Sequence, residues 1–262
     1  MYAPEAPEVQ RPVMFQHWRM VTFLHWRYPA GSIQPLLPAG LTVQTRDGTA
    51  WLGIIPLLMD EVRAPGVPAL PWLSRFPETN LRTYVTGPDG REGIWFFSLD
   101  AARAPAVVAA RAGFGSPYRW ARMSLRRSVD QISYRSLRRN ADPISSALRR
   151  GVDQVSHRSL HHWSGRPGAR CDARVELGAP FAGAELGPTD HFLTARYRLY
   201  SVFAGRLVAA DAAHGPWPLR RASLIDLDQS LIQAAGLPAP SGDPLVHASD
   251  GVRVRVGMWH PV

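Results

Sequence analysis

A carboxylate, a guanidinium and a phenol lie close together in one stretch of the sequence. Glu78 precedes a run of strand-forming residues that contains Arg82 and Tyr84. Because side chains alternate between the two faces of a strand, positions 82 and 84 share one face. Arginine binds carboxylates and enolates through paired hydrogen bonds, and a carboxyl group or a phenol can transfer a proton. The stretch indicates a binding site for a small carboxylate, unless Glu78 and an arginine form a buried ion pair that only stabilises the fold.

His214 is a second candidate for acid or base chemistry. It follows a predicted strand and precedes Pro216, Trp217 and Pro218. Histidine changes its charge near neutral pH, so His214 is predicted to bind ligand or to move a proton at the mouth of a site. The alternative is a turn histidine that hydrogen-bonds to the backbone.

The sequence gives little support to metal or cofactor chemistry. His157, His161 and His162 form a cluster, but no cysteine or carboxylate stands at ligand spacing from them. No phosphate-binding loop and no dinucleotide fingerprint is present. We therefore predict that the protein uses no metal and no cofactor.

Nucleophilic chemistry is equally weakly indicated. Ser98 and Ser116 do not lie within a Gly-x-Ser-x-Gly motif. Cys171 stands near Arg170 and Arg174, whose charges would lower the pKa of its thiol, although a single cysteine in a loop is usually incidental.

The elements around the candidate residues are predicted to be strands joined by turns. The chain contains 24 Pro and 22 Gly, too many for a helical bundle. The clearest hairpin joins residues 80–85 to residues 93–99, and a first hairpin joins residues 41–44 to residues 50–57. Further strands are predicted at 20–27, 174–177, 197–203, 206–210 and 252–256, with helices at 101–112, 190–194 and 228–235. The proline-rich residues 64–77 are predicted to form a rigid loop.

Length and composition predict a globular protein with a sizeable core. The chain has 262 residues, of which 45% are hydrophobic and 19% charged. Its longest apolar stretch, Trp51 to Met59, is too short for a membrane-spanning helix and contains Pro56. With one cysteine and no apolar leader in residues 1–12, the chain is expected to be soluble and cytoplasmic.

All 30 basic residues are arginine, and the chain contains no lysine. No lysine Schiff base can therefore form. Fourteen of the arginines fall between residues 103 and 170, which contain only three acidic residues, so the net charge of this segment is +11.

A tandem duplication lies within the basic segment. Residues 126–139 match residues 149–162 at nine of 14 positions, with an offset of 23 residues. We interpret the chain as a single domain, 1–262, in which the copies 126–148 and 149–171 add a strand or hairpin to a sheet. Val129, Ile132 and Leu137 correspond to Val152, Val155 and Leu160.

Several motifs, in a fixed order, resemble a known family. They are Phe76-Pro77-Glu78-Thr79-Asn80, Gly93-Ile94-Trp95-Phe96-Phe97, Ala110-Arg111 through Pro117-Tyr118, Phe192-Leu193-Thr194 before Arg196-Tyr197, and His214-Gly215-Pro216-Trp217-Pro218. Together, over about residues 14 to 258, they resemble the YqjF-like family of uncharacterised bacterial proteins, a distant branch of the acetoacetate decarboxylase superfamily. The duplicated block departs from that family, which has one such strand.

The resemblance implies an α+β fold of mostly antiparallel strands: a closed, cone-shaped β-barrel with a few short covering helices. In the decarboxylases a Gly-x-Pro-Lys-Lys stretch follows an arginine and supplies the Schiff-base lysine. Here the corresponding stretch follows Arg111 and ends in Tyr118 and Arg119. A phenol cannot condense with a ketone, so the resemblance implies the fold without the decarboxylase mechanism.

Three functions are compatible with the sequence. The first is a barrel that binds or transforms a small carboxylate or keto acid, with Glu78 and Tyr118 as catalytic residues and Arg82, Tyr84, Arg111, Arg119 and His214 as ligand-binding residues. The second is a nucleic-acid-binding module that uses the clustered arginines, although no known binding motif accompanies them. The third is a structural protein in which the duplicated strand pairs with another subunit to form a homo-oligomer.

Overall fold

The computed structural model describes residues 6–138 and 168–262. Strands account for most of these residues, and the helices are short. The strands are β1 (Met14–Tyr28), β2 (Thr42–Val43), β3 (Thr45–Arg46), β4 (Thr49–Arg63), β5 (Phe76–Thr86), β6 (Glu92–Ala101), β7 (Tyr118–Arg127), β8 (Gln131–Arg138), β9 (Arg170–Pro180), β10 (Arg198–Phe203), β11 (Arg206–His214), β12 (Leu219–Gln229), β13 (Leu245–Val256) and β14 (His260–Pro261). The helices are α1 (Ala30–Ile33), α2 (Ala104–Phe114), α3 (Pro188–Thr194) and α4 (Leu231–Ala234), and 3-10 turns cover Gln34–Leu36 and Gly183–Glu185.

The strands form a sheet whose pairings close into a ring. Following neighbours from β5 through β6, β10, β11, β13, β1 and β4 leads back to β5. A second path from β6 to β13 runs through β7, β8, β9 and β12. The pairings of β6 with β10 and with β7 are parallel, and the other pairings in both paths are antiparallel. This agrees with the predicted sheet-rich, mostly antiparallel class.

The two faces of β1 and β4 contact different parts of the protein, one the cavity and the other the main hydrophobic core. Alternate apolar residues on one face line a cavity inside the ring: Val21, Phe23, Ile55 and Leu57. Residues on the opposite face belong to the main hydrophobic core, together with residues of β8 and β9: Leu24, Trp26, Leu52, Ile54, Ile132, Tyr134, Ala173 and Val175. Burial on both sides explains why β4 is an almost continuous apolar run rather than an alternating one.

The hairpin predicted at residues 80–85 and 93–99 is confirmed as β5 and β6. The first predicted hairpin is wrong, because only β3 pairs with β4, across a tight turn at Asp47 and Gly48 that has positive φ at both residues. The pairing changes at Gln44, between β2 and β3. The Gln44 N–H donates to the Tyr84 carbonyl, and β2 pairs with β5 instead of β4.

The residue patterns of β7 and β12 do not indicate strands. β12 alternates between exposed and partly buried residues, and Asp226 and Asp228 interrupt its apolar positions, so its composition resembles that of a loop. β12 forms a strand because it pairs with β9 and β13, although its own sequence does not indicate one.

Residues 126–138, the described part of the first copy, form the end of β7, a turn and β8. Within it Ile132 is buried, whereas Val129 and Leu137 are exposed. β8 pairs with β7 on one side and β9 on the other, so it has no free edge for another subunit. Residues 149–167 of the second copy lie outside the described residues; they include Val152, Val155, Leu160 and the histidines at 157, 161 and 162.

The arginines of this region are partly compensated by carboxylates. Arg135 pairs with Asp172 at 3.1 Å, and Arg170 pairs with Asp228 at 2.7 Å, both on the exposed face. Arg138 forms a buried pair with Asp100 at 2.8 Å. These contacts reduce the positive charge that β8 and β9 offer to a polyanion, and they do not support the nucleic-acid-binding interpretation. In residues 6–138 and 168–262, no helix has the length and apolar composition needed to cross a membrane.

Candidate functional site

A cavity of about 210 Å³ lies inside the ring of strands. Its walls are mostly apolar side chains from β1, β4, β5, β6, β10 and β13. The polar side chains among them include Glu78, Asn80 and Arg82, which occupy alternate positions of β5, together with Tyr118, Arg196 and His214. Small-molecule sites usually have mostly apolar walls with a few polar groups.

Glu78 and Tyr118 form a hydrogen-bonded pair on the cavity wall. The Tyr118 hydroxyl donates to Oε2 of Glu78 at 2.8 Å. Burial raises the pKa of Glu78 to about 7, and the charge of Asp100 adds to the rise, while the Tyr118 hydrogen bond opposes it. Burial also raises the pKa of Tyr118 well above its usual value, with the Glu78 charge acting in the same direction. Near neutral pH, Glu78 therefore exists in both protonation states, and Tyr118 remains a neutral donor.

Tyr118 is positioned by the turn that follows α2. Arg111, near the end of α2, donates from Nε to the Tyr118 carbonyl at 2.6 Å. The helix ends at Gly115, which has a φ of 63° and lies against the Val202 carbonyl. A side chain at this position would place Cβ 2.4 Å from that carbonyl oxygen. Glycine is therefore required to deliver Tyr118 to the cavity wall.

We expect Gly115→Ala to destabilise the protein through both backbone strain and collision. Gly205 provides a matched control, because its φ is 76° but a Cβ there would meet nothing within 4 Å. Gly205→Ala should cost about 1 kcal/mol from strain alone, and Gly115→Ala should cost at least about 1 kcal/mol more. Urea unfolding of the two variants measures the difference. Equal losses would show that Gly115 is not sterically required.

Arg82 is a buried cation without a carboxylate partner among the described residues. Its Nη2 donates to the Leu193 carbonyl at 3.1 Å and to the Tyr84 hydroxyl at 3.4 Å. Its Nε has no hydrogen-bond partner in the described part of the chain, and the residue is 6% exposed. Its guanidinium carbon lies 5.5 Å from the centre of the Phe23 ring. An unpaired guanidinium in such surroundings is costly to bury, and an anionic ligand would compensate for it.

Tyr84 lies outside the cavity lining, and its hydroxyl accepts a hydrogen bond from Arg82. Its hydroxyl donates to the Leu193 carbonyl at 2.7 Å and lies 2.6 Å from Nε2 of His25. Burial holds the pKa of His25 well below its usual value, and the charge of Arg82 lowers it further. This network attaches β5 to α3 and fixes the position of the Arg82 guanidinium.

Arg196 and His214 also line the cavity. Arg196 donates to Glu92 at 2.9 Å and to Gln44 at 3.2 Å, so its charge is already compensated. Nδ1 of His214 hydrogen-bonds to the Gly215 carbonyl at 2.7 Å, and burial lowers the pKa of the ring. Nε2 has no partner that meets hydrogen-bond geometry among the described residues, and the Gly215 and Arg196 backbone groups oppose the fall in the pKa of the ring. His214 therefore hydrogen-bonds to the backbone and also lines the cavity, and its role in binding or proton transfer stays a prediction.

The structure brings together four of the predicted site residues: Glu78, Arg82, Tyr118 and His214 line one cavity. Tyr84, Arg111 and Arg119 lie outside that lining. The expected ion pair between Glu78 and an arginine is absent from the described residues, because the bonding partner of Glu78 is Tyr118.

The prediction for Cys171 needs correction. The residue is buried, and burial raises the pKa of its thiol, as do the charges of Asp100, Asp172 and Asp228. In the described ranges no group of three or more His, Cys, Asp or Glu residues is arranged to hold a metal ion.

Sequence reasoning did not assign a site role to Asn80 or Arg196. Asn80 lies two residues from both Glu78 and Arg82 on β5, so alternation along the strand was a usable signal for its inward orientation. Arg196 gave no comparable signal, because it stands in the short link between α3 and β10.

Comparison with known proteins identifies the family. Residues 15–253 match the model of DUF2071, described as an uncharacterized conserved protein. The chain belongs to this family. It is also 35% identical to the uncharacterized protein YqjF of Bacillus subtilis (strain 168) over 235 residues, which cover 90% of this chain and 86% of YqjF.

Solved structures with a similar fold include an enduracididine biosynthesis enzyme and an acetoacetate decarboxylase. The enduracididine biosynthesis enzyme MppR complexed with pyruvate is 13% identical and has a TM-score of 0.61, over 95% of this chain and 90% of MppR. Acetoacetate decarboxylase from Legionella pneumophila is 11% identical and has a TM-score of 0.59, over 100% of this chain and 92% of the decarboxylase. At these identities the likeness establishes the fold alone.

Proposed function

We propose that the cavity binds a small carboxylic acid of the keto-acid type and transfers a proton on it without Schiff-base chemistry. The observation that carries this proposal is the buried Arg82 guanidinium, which faces the cavity without a carboxylate partner among the described residues. A ligand carboxylate would supply the missing negative charge through charge-assisted hydrogen bonds.

Glu78 and Tyr118 provide the proton-transfer groups. Removing a proton from the carbon next to the ketone of a 2-oxo acid gives an enolate and a protonated Glu78. A pKa of about 7 allows Glu78 to accept the proton and return it at neutral pH. Tyr118 retains its own proton and hydrogen-bonds to the carboxyl group that changes charge. His214 is a second titratable group on the same cavity.

The ring of strands supports an interpretation as the cone-shaped barrel of the acetoacetate decarboxylase fold, within which the cavity is the inherited ligand chamber. The MppR structure is a complex with pyruvate, which gives a precedent for a small keto acid bound to a protein of this fold. The family resemblance implies that Tyr118 corresponds to the Schiff-base lysine of the decarboxylases, and the chain has no lysine to replace it. The retained chemistry would therefore be proton transfer rather than imine formation.

Isothermal titration with 2-oxo and 2-hydroxy acids tests binding. Proton NMR in D2O tests turnover, as exchange of the protons at carbon 3 of 2-oxobutyrate beyond the buffer blank. We expect saturable binding and enzyme-dependent exchange, and exchange should slow by at least about 100-fold in Glu78→Gln while binding persists. Glu176→Gln, an exposed carboxylate on β9, is the control and should leave both unchanged. If no acid binds, the proposed function is wrong. If acids bind but the protons do not exchange, only the catalytic part is wrong.

A further inference from the structure

Much of the cavity wall is aromatic. Six aromatic residues that carry no charge and no phenol line the cavity: Trp18, Phe23, Phe76, Phe96, Trp217 and Trp259. Aliphatic residues from β4 and β6 fill much of the remaining lining. A three-carbon acid such as pyruvate would leave most of this surface uncovered, because it has one methyl group to offer.

Two of these aromatic residues form a fixed stack. The rings of Trp18 and Trp217 lie 6.0 Å apart and 19° from parallel, and Phe23 meets Trp217 edge-on at 5.1 Å. The Trp217 indole N–H donates to the Thr194 carbonyl at 3.0 Å, and that of Trp18 donates to the Gln16 side chain at 2.7 Å. Because both indole donors are satisfied within the protein, the stack presents apolar surface to a ligand.

The charged groups of β5 and the Trp18–Trp217 stack come from different elements of the cavity wall. Phe76 also lies on β5, and the His214 ring packs against the stack, 5.8 Å from Trp18 and 5.0 Å from Trp217. Glu78, Asn80 and Arg82 occupy alternate positions of one strand, β5, whereas the stack comes from β1 and the link between β11 and β12. Phe23 contacts both sides, since it lies 5.5 Å from the Arg82 guanidinium carbon and 5.1 Å from Trp217. An occupant that satisfies both sides has a charged head at Arg82 and an apolar body against the stack.

We infer that the ligand of this site is a hydrophobic carboxylic acid, a 2-oxo or 2-hydroxy acid with an aromatic or extended aliphatic body, and that the Trp18–Trp217 stack selects it. The inference rests on the proposed function, because Arg82 is taken to bind the carboxylate. Asn80, which lines the cavity and is 7% exposed, has no partner for Oδ1 among the described residues and can accept a hydrogen bond from a ligand hydroxyl.

A homologous series of 2-oxo acids tests the inference by isothermal titration of the full chain. Each methylene group buried against the wall should tighten binding about fourfold, so 2-oxohexanoate should bind about 60-fold more tightly than pyruvate. Phenylpyruvate should also bind far more tightly than pyruvate. Equal affinity for pyruvate and 2-oxohexanoate would overturn the inference and leave the proposed function standing.

Variants locate the selectivity. Trp217→Ala should reduce the affinity for phenylpyruvate by about 10-fold or more and leave that for pyruvate nearly unchanged. Trp72→Ala, at a 63% exposed position outside the lining, is the matched control. Where Trp217→Ala fails to fold, Leu57→Trp fills the cavity instead and should weaken binding of long acids most, with the exposed Val129→Trp as its control. Unaltered selectivity in a folded variant would overturn the assignment of the stack.

An uncharged analogue separates this inference from the function on which it rests. The alcohol 3-phenylpropanol keeps an aromatic body and lacks the carboxylate. Weak binding of the alcohol beside tight binding of phenylpyruvate supports both proposals. Equal binding of the two supports the apolar wall but contradicts the role of Arg82, and binding of neither contradicts both.

Discussion

Replacing Arg82 with methionine is expected to reduce carboxylate affinity by about 100-fold or more and, in the absence of ligand, to make the protein more stable. The guanidinium is buried without a carboxylate partner in the described chain, so its removal relieves an unfavourable charge. Methionine retains much of the side-chain volume, and the Leu193 carbonyl keeps its hydrogen bond from Tyr84. The free energy of unfolding should rise by about 2 kcal/mol. Isothermal titration and urea unfolding measure the two effects.

Arg138→Met is the matched control for this prediction. Arg138 is also buried, but it pairs with the fully buried Asp100 at 2.8 Å. Its removal leaves a carboxylate without its partner, so the free energy of unfolding should fall by about 3 kcal/mol or more. The same substitution should therefore have opposite signs at the two sites. If Arg82→Met destabilises the protein as Arg138→Met does, and carboxylates still bind, Arg82 has a structural role only.

Glu78 should make the folded state less stable as the pH rises. Its pKa is about 7 in the folded protein and 4.5 in the absence of burial, so the folded state binds more protons than the unfolded state between these values. The free energy of unfolding should therefore decrease as the pH increases from about 4.5 through about 7. This difference between the folded and unfolded pKa values of Glu78 changes the free energy of unfolding by about 3 kcal/mol.

Glu78→Gln should remove this dependence on pH. Urea unfolding between pH 4 and pH 9 should show the variant to be more stable than the wild type by about 3 kcal/mol at pH 8, with the difference disappearing near pH 4. The exposed variant Glu176→Gln should follow the wild-type profile. Parallel profiles for Glu78→Gln and the wild type would contradict the raised pKa of Glu78.

Strand alternation made a large part of the site predictable. Glu78 and Arg82 have the same parity on β5, and both reach the cavity. Tyr84 has the same parity but does not line the cavity. Its hydroxyl instead donates a hydrogen bond to the Leu193 carbonyl of α3. Sequence spacing does not show where a cavity ends, since a distant helix decides it.

Contacts distant in sequence account for what the patterns could not predict. β2 pairs with β5 rather than with β4, and β12 is ordered by neighbours from both sides. The Trp18–Trp217 stack joins residues about 200 positions apart, so no local pattern could indicate it. Tyr118 was predictable as a site residue only through the family resemblance, because its place depends on the left-handed turn at Gly115.

A crystal structure of the protein with bound phenylpyruvate would test the central claim most directly. We predict that the ligand carboxylate lies about 3 Å from the Arg82 guanidinium, with the phenyl ring against Trp217. A ligand found outside the ring of strands, or one held in the cavity with its carboxylate away from Arg82, would contradict the account.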